Sequence, residues 1–196
     1  ASAVSGPAGA DEHANPAANS VAKFDAPLRL DRNENAYGAS DKAVAAIRQS
    51  AGQIARYQDT GALRKSIAAH HAETAGAALA LKPEQIVLGC GSSEVLRMAA
   101  FALLGVGKTL IQATPTCELL ASFSKQTGAT IKELPLRKDF SHDLPAILEN
   151  ANDGGSGLIY ICNPNTPTGT LTTRKDLEVF LLKVLPSFHV LIDEAY

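Results

Sequence analysis

The chain has 196 residues, 45% hydrophobic and 19% charged, with 18 Lys and Arg against 20 Asp and Glu for a formal charge of −2. That balance suits a globular domain with appendages and enough apolar residues to bury a core. There is no long run of either charge and no apolar run near the ~18 residues of a membrane helix, so no nucleic-acid or membrane partner is expected.

Cys90, Cys117 and Cys162 are odd in number and lack CxxC spacing, which argues against a disulfide framework and a structural zinc site. Of the histidines only His70 and His71 are neighbours, and adjacent residues diverge around a helix, so no metal centre is expected.

Residues 1–22, rich in Ala, Ser, Gly, Pro and Asn without hydrophobic periodicity, read as a disordered leader. The chain starts on Ala, which fits a removed signal peptide and a cloning choice equally. Localisation therefore stays open between cytoplasmic, the default, and exported. Residues 23–58 read as an N-terminal arm. In them "LRLDRNENAYGAS" is turn-rich, and Ser40 is placed to cap a helix over Asp41–Ser50. Residues 59–196 read as the main domain. A helix over 60–74 sets Leu63, Ile67 and Ala68 on one face.

After Lys82-Pro83 the pattern becomes rhythmic. Strands are expected at "QIVLGC", "TLIQAT", "TIKELPL", "GLIYICN" and "HVLID". Helices are expected at "SSEVLRMAAFALL", "CELLASFSKQT", "DLPAILENA" and "RKDLEVFLLKVL". Short apolar strands alternating with helices predict an α/β fold, a three-layer α/β/α sandwich with a mostly parallel sheet. Ligands then belong at the carboxyl ends of the strands, in the loops after Leu88, Ala113, Ile161 and Ile192.

Three motifs lack their context. "ALLGVGKT" resembles a phosphate loop but lies between a helix and a strand, the reverse of what that loop needs, so its glycines more plainly end a helix. "GCGSSE" has Glu94 where a dinucleotide fingerprint needs a third Gly, although a helix start there suits some phosphate. "SFSK" has no companion motif and reads as a surface helix.

The strand-end loops are more informative together. Gly91, Ser92 and Ser93 offer N–H groups, hydroxyls and a favourable dipole at a helix N-terminus, which suits a phosphate. "NPNTPTG" forces an irregular loop with amide and hydroxyl donors. Asp193 follows the apolar run Val190-Leu191-Ile192, where an acid must be paired, solvated or used.

With "RNENAYG", "ARYQD", "GCGSSE", "ATPT", "CNPNTPTG" and "LIDEAY" in that order over residues 28–196, the chain resembles the fold-type I pyridoxal-phosphate aminotransferases, on the branch of histidinol-phosphate aminotransferase. The resemblance implies the aspartate-aminotransferase-like large domain and the cofactor pyridoxal 5'-phosphate. It implies that Asp193 pairs with the pyridine nitrogen, that Tyr196 hydrogen-bonds the phenolic oxygen and that Ser92 and Ser93, beside Gly91, hold the phosphate. Tyr57 matches a tyrosine that reaches the neighbouring subunit's phosphate, so a homodimer is implied. Asn35 and Tyr37 lie where the family approaches its substrate; turn formation and packing are the plainer alternatives for all three.

Two positions depart from the family pattern. Cys117 stands where an aromatic residue often stacks on the cofactor ring, and a thiol offers less stacking area. Thr166 stands where an asparagine usually reaches the phenolic oxygen, so either Thr166 or Asn165 is the candidate there.

The implied reaction moves an amino group between an amino acid or amino-alcohol phosphate and a 2-oxo acid. The family's cofactor-binding lysine and substrate-binding arginine lie beyond Asp193, the arginine in a C-terminal small domain, and the chain stops before both. These residues are therefore expected to be the first half of a longer polypeptide, with an incomplete large domain. The alternatives are a decarboxylase of an amino-acid phosphate and a truncated, noncatalytic phosphate-ligand binding module.

Overall fold

The computed structural model describes residues 33–35, 37–76, 80–153 and 155–196. The expected leader, 1–22, and the opening of the expected arm lie outside them. The chain divides into two compact units, Ala1–Tyr57 and Gln58–Tyr196.

In the first unit, α1 spans Asp41–Ser50, and its N-cap Ser40 accepts a hydrogen bond from Ala43 N–H at 3.3 Å. Asp41 in the first turn and Arg48 in the last complement the helix dipole. Before it Asn35 forms a tight turn. Its Oδ1 accepts from Tyr37 N–H at 3.0 Å and its Nδ2 donates to the Gly38 carbonyl at 3.1 Å. Tyr37 and Tyr57 are fully exposed within this unit.

The second unit opens with α2, Gly61–Ala75, of which only Ala68 is buried among the expected apolar face; Leu63 is 54% exposed. A 3-10 turn at Pro83–Gln85 follows. The strand expected at "QIVLGC" does not form: residues 86–89 join no ladder among the described residues. Apolar and β-branched side chains favour extended backbone there, but a strand also needs a neighbour for its N–H and C=O groups.

Helix α3 (Gly91–Leu103) leads into β1 (Thr109–Thr114), and α4 (Leu119–Gln126) into β2 (Thr130–Pro135). Then α5 (Leu144–Ala151) precedes β3 (Gly157–Cys162), and α6 (Arg174–Leu181) precedes β4 (Phe188–Asp193). The four strands form one all-parallel sheet in the order β2-β1-β3-β4.

Strand side chains alternate between faces, and the two sets define two cores. Leu110, Leu158, Tyr160 and Cys162 pack with Leu96 and Ala100 of α3 and Leu120 of α4. Ile111, Ile159 and Ile161 pack with Ile147 of α5 and with Leu177 and Phe180 of α6. The result is the three-layer α/β/α sandwich expected from the alternating pattern. Each fully buried aliphatic side chain contributes about 1.5–3 kcal/mol relative to exposure.

Every residue of β3 is buried, which explains its unbroken apolar run. At its start a Cβ on Gly157 would lie 1.9 Å from the Thr109 carbonyl oxygen, so only glycine lets β3 enter beside β1.

Candidate active site

In a parallel sheet every strand delivers its last residue to the same edge, so Thr114 of β1, Cys162 of β3 and Asp193 of β4 end near one another. The N-terminus of α3 opens onto this edge. There a cavity of about 170 Å³ is lined by Ser92, Ser93, Leu96, Cys117, Leu119, Cys162, Pro164, Thr166, Asp193, Ala195 and Tyr196.

On the α3 side, Gly91 turns the chain into the helix with φ +76°, a conformation that suits glycine. The Glu94 carboxylate reaches back to Cys90 N–H, and no side chain at the Cys90 cap position covers the helix end. The first-turn N–H groups and the exposed hydroxyls of Ser92 and Ser93 are therefore available to an anion.

The loop after β3 is fastened to its surroundings. Asn165, 2% exposed, accepts from Thr116 Oγ1 at 2.7 Å and donates to the Pro115 carbonyl at 3.1 Å and to Thr168 Oγ1 at 2.8 Å. All its amide hydrogens are used, so it locks the β3 loop to the β1 loop from behind. Of the two candidates in this loop, Thr166 lines the cavity and Asn165 does not.

At the β4 edge, Asp193 Oδ1 accepts from Ala195 N–H at 3.2 Å, a tight turn after which Tyr196 lines the same cavity, 68% exposed. Asp193 Oδ2 accepts from the Tyr160 hydroxyl at 2.7 Å. Each carboxylate oxygen keeps a further lone pair for a ligand. Tyr160 is completely buried, and burial, reinforced by donation to Asp193, holds its phenol far above the ordinary range. It remains a neutral donor.

Sequence reasoning passed over Tyr160. A period-two count backwards from Cys162 would have put it on the cavity face of β3, as the one residue of that set with a hydroxyl.

The structure thus gathers Ser92, Ser93, Cys117, Thr166, Asp193 and Tyr196 around one cavity, with Gly91 at its edge and Asn165 behind it. Asn35, Tyr37 and Tyr57 belong to the other unit. A larger cavity, about 330 Å³, lies between α5 and α6 and includes Arg137, His142, Lys175 and Lys183. It opens on the other face of the sheet and holds none of the strand-end residues. Among the described residues no three His, Cys, Asp or Glu side chains are grouped to hold a metal. No described helix is long and apolar enough to cross a membrane.

The family model for aminotransferase class I and II matches residues 26–196. Histidinol-phosphate aminotransferase 1 of Bacillus cereus (strain ATCC 10987 / NRS 248) is 39% identical over 171 residues, covering 86% of this chain and 44% of the relative. Histidinol-phosphate aminotransferase of Staphylococcus carnosus is 38% identical over 170 residues, covering 86% and 46%. The chain spans about half the length of the curated relatives it matches. Among solved structures, a protein of Erwinia carotovora atroseptica provisionally assigned as a histidinol-phosphate aminotransferase superposes with a TM-score of 0.79 at 28% identity, over 87% of this chain and 48% of that one. The fold is shared with histidinol-phosphate aminotransferase of Sinorhizobium meliloti, solved in complex with pyridoxal-5'-phosphate (TM-score 0.73, 22% identity, 83% of this chain and 42% of that one).

Proposed function

Because the chain belongs to the aminotransferase class I and II family, we propose that it builds the cofactor cavity of a pyridoxal-phosphate-dependent aminotransferase acting on histidinol phosphate or a similar amino-alcohol phosphate or amino acid, with a 2-oxo acid as the other substrate. One observation carries the reading: an uncapped helix N-terminus bearing Ser92 and Ser93 and the buried-side carboxylate of Asp193 line the same cavity. An anion site and an acid in one cavity suit a ligand that carries both a phosphate and a basic ring nitrogen.

When bound, pyridoxal phosphate supplies an electron sink that stabilises negative charge on the substrate carbon. The residues around it have separate tasks. The Ser92 and Ser93 hydroxyls and the α3 N–H groups beyond Gly91 hold the phosphate. Asp193 keeps a proton on the ring nitrogen. Tyr196 donates to the ring's phenolic oxygen, and Thr166 can donate there too, with Asn165 fixing the loop that carries it. Cys117 packs against the ring with less contact area than an aromatic side chain.

Asn35 and Tyr37 are assigned to the substrate side and Tyr57 to the phosphate of a neighbouring copy in a homodimer, on the family pattern alone. The reaction also needs a lysine amine to attach the cofactor and move a proton; none is among the residues lining this cavity. The relatives named as histidinol-phosphate aminotransferases favour that substrate class.

The test is uptake of pyridoxal phosphate, followed by absorbance, in the parent and in Asp193→Asn. The expected result is one cofactor per chain in the parent, with histidinol phosphate changing the spectrum and the variant responding far more slowly. A parent protein that takes up no pyridoxal phosphate overturns the proposal.

A further inference from the structure

We infer that Tyr160 is the positioning residue for Asp193, acting from beneath the cavity to hold the carboxylate in place against the ring nitrogen of the cofactor. The inference rests on the reading in the preceding subsection.

The sheet register dictates the contact. Tyr160 is level with Leu191, and Cys162 with Asp193, so Tyr160 and Asp193 project to the same face one diagonal step apart. Across that step a short hydroxyl such as Ser or Thr falls short. A tyrosine, rigid and long, spans it, and its hydroxyl meets Oδ2 at 2.7 Å. The ring is packed among Leu110, Leu120 and Leu158 and is completely buried. Its hydroxyl therefore has little freedom to turn elsewhere.

Two consequences follow for Asp193. With Oδ2 engaged by Tyr160 and Oδ1 by Ala195 N–H, the carboxylate plane is held at both oxygens before any ligand arrives. Such preorganisation spares reorganisation when the ligand binds. In addition, a phenol that stays protonated always presents its hydrogen to Oδ2. A hydrogen bond donated to the charged form favours that form. The proton shared between Asp193 and the ring nitrogen is thereby kept on the nitrogen, where the electron sink requires it. A hydroxyl that merely satisfied itself in the core would have no such effect on the ligand.

The test compares the parent with Tyr160→Phe, which keeps the ring and removes only the hydroxyl. Both are loaded with pyridoxal phosphate carrying 15N at the ring nitrogen, and its chemical shift is followed against pH. In Tyr160→Phe the ring-nitrogen 15N shift at neutral pH is expected to move toward its unprotonated value, because a carboxylate that has lost a hydrogen bond draws the shared proton toward itself. In protein that also supplies the cofactor-binding lysine, turnover should fall about tenfold with KM for the amino donor within roughly twofold, the pattern of a lost transition-state interaction. In an Asp193→Asn background the same substitution should add nothing, because Tyr160 acts through Asp193.

If the parent and Tyr160→Phe give one titration curve, or if the effect persists in Asp193→Asn, the inference is overturned while the aminotransferase reading stands. If the parent binds no cofactor, both fall. Should Tyr160→Phe fold poorly, 3-fluorotyrosine at position 160, which keeps the hydroxyl and sharpens its acidity, should move the titration the opposite way. An unmoved curve there overturns the inference equally.

Discussion

Asn163 and Thr172 grip one another twice: Thr172 N–H donates to Asn163 Oδ1 at 2.7 Å, and Asn163 Nδ2 donates to the Thr172 carbonyl at 3.1 Å. Both residues are buried. This pair closes the neck of the loop that carries Thr166, much as one step of a β-ladder would. Asn163 N–H in turn donates to the Asp193 carbonyl at 2.8 Å, joining the neck to the end of β4.

Asn163→Ala should therefore destabilise the protein by about 2–4 kcal/mol, since two buried backbone groups of Thr172 lose their partner. Urea unfolding measures it. An effect below about 0.5 kcal/mol would mean that the loop is held elsewhere.

Gly157→Ala should cost about 3 kcal/mol, because the added methyl must displace the Thr109 carbonyl where β3 meets β1. A control at Gly105, where a Cβ would meet nothing within 4 Å, should be nearly silent. The comparison of melting temperatures separates this clash from a general intolerance of alanine.

Replacing Ser92 and Ser93 together by Ala should weaken pyridoxal phosphate binding about ten- to a hundredfold, as hydrogen bonds to a charged group are lost. Pyridoxal without its phosphate should bind the parent and the variant alike. Equal sensitivity to both compounds would place the phosphate elsewhere.

His142 gives stability a defined pH dependence. It is 3% exposed and its Nδ1 lies 3.0 Å from Thr172 Oγ1, and burial pushes its pKa below the ordinary value of 6.5. Between its folded value and 6.5 the unfolded chain binds the extra proton, so stability rises with pH in that window. The contribution is complete above about pH 6.5 and is lost on acidification through it, with a slope of at most ~1.4 kcal/mol per pH unit. In His142→Gln that part of the slope should vanish. An unchanged slope in denaturant titrations at pH 5, 6 and 7 would assign it to other groups.

The sequence by itself determined the layered α/β architecture. The run "GLIYIC" has six apolar or small residues in a row, which only a strand buried on both faces tolerates, and "TLIQAT" and "HVLID" share that texture on the same short spacing. Ser40, Asp143 and Thr173 mark helix starts through local hydrogen bonds that a sequence can announce. The strand ends were legible too, since a parallel sheet sends Cys117, Thr166, Asp193 and Tyr196 to one edge, whereas Ser92 and Ser93 reach it on the first turn of α3 with no strand before them among the described residues.

Tertiary structure decided what depends on partners distant in the chain. "QIVLGC" has strand chemistry but no ladder, because pairing is a property of two segments. Asn165 and Thr166 are neighbours with similar polarity, and only the buried contacts with Thr116 and Pro115 assign one to the clasp and the other to the cavity. Tyr160 sits in an apolar run, and only the register of β3 on β4 sets its hydroxyl against an acid 33 positions away. Local propensity and periodicity are written in neighbouring residues, whereas register, burial and the pairing of polar groups arise only once the strands lie side by side.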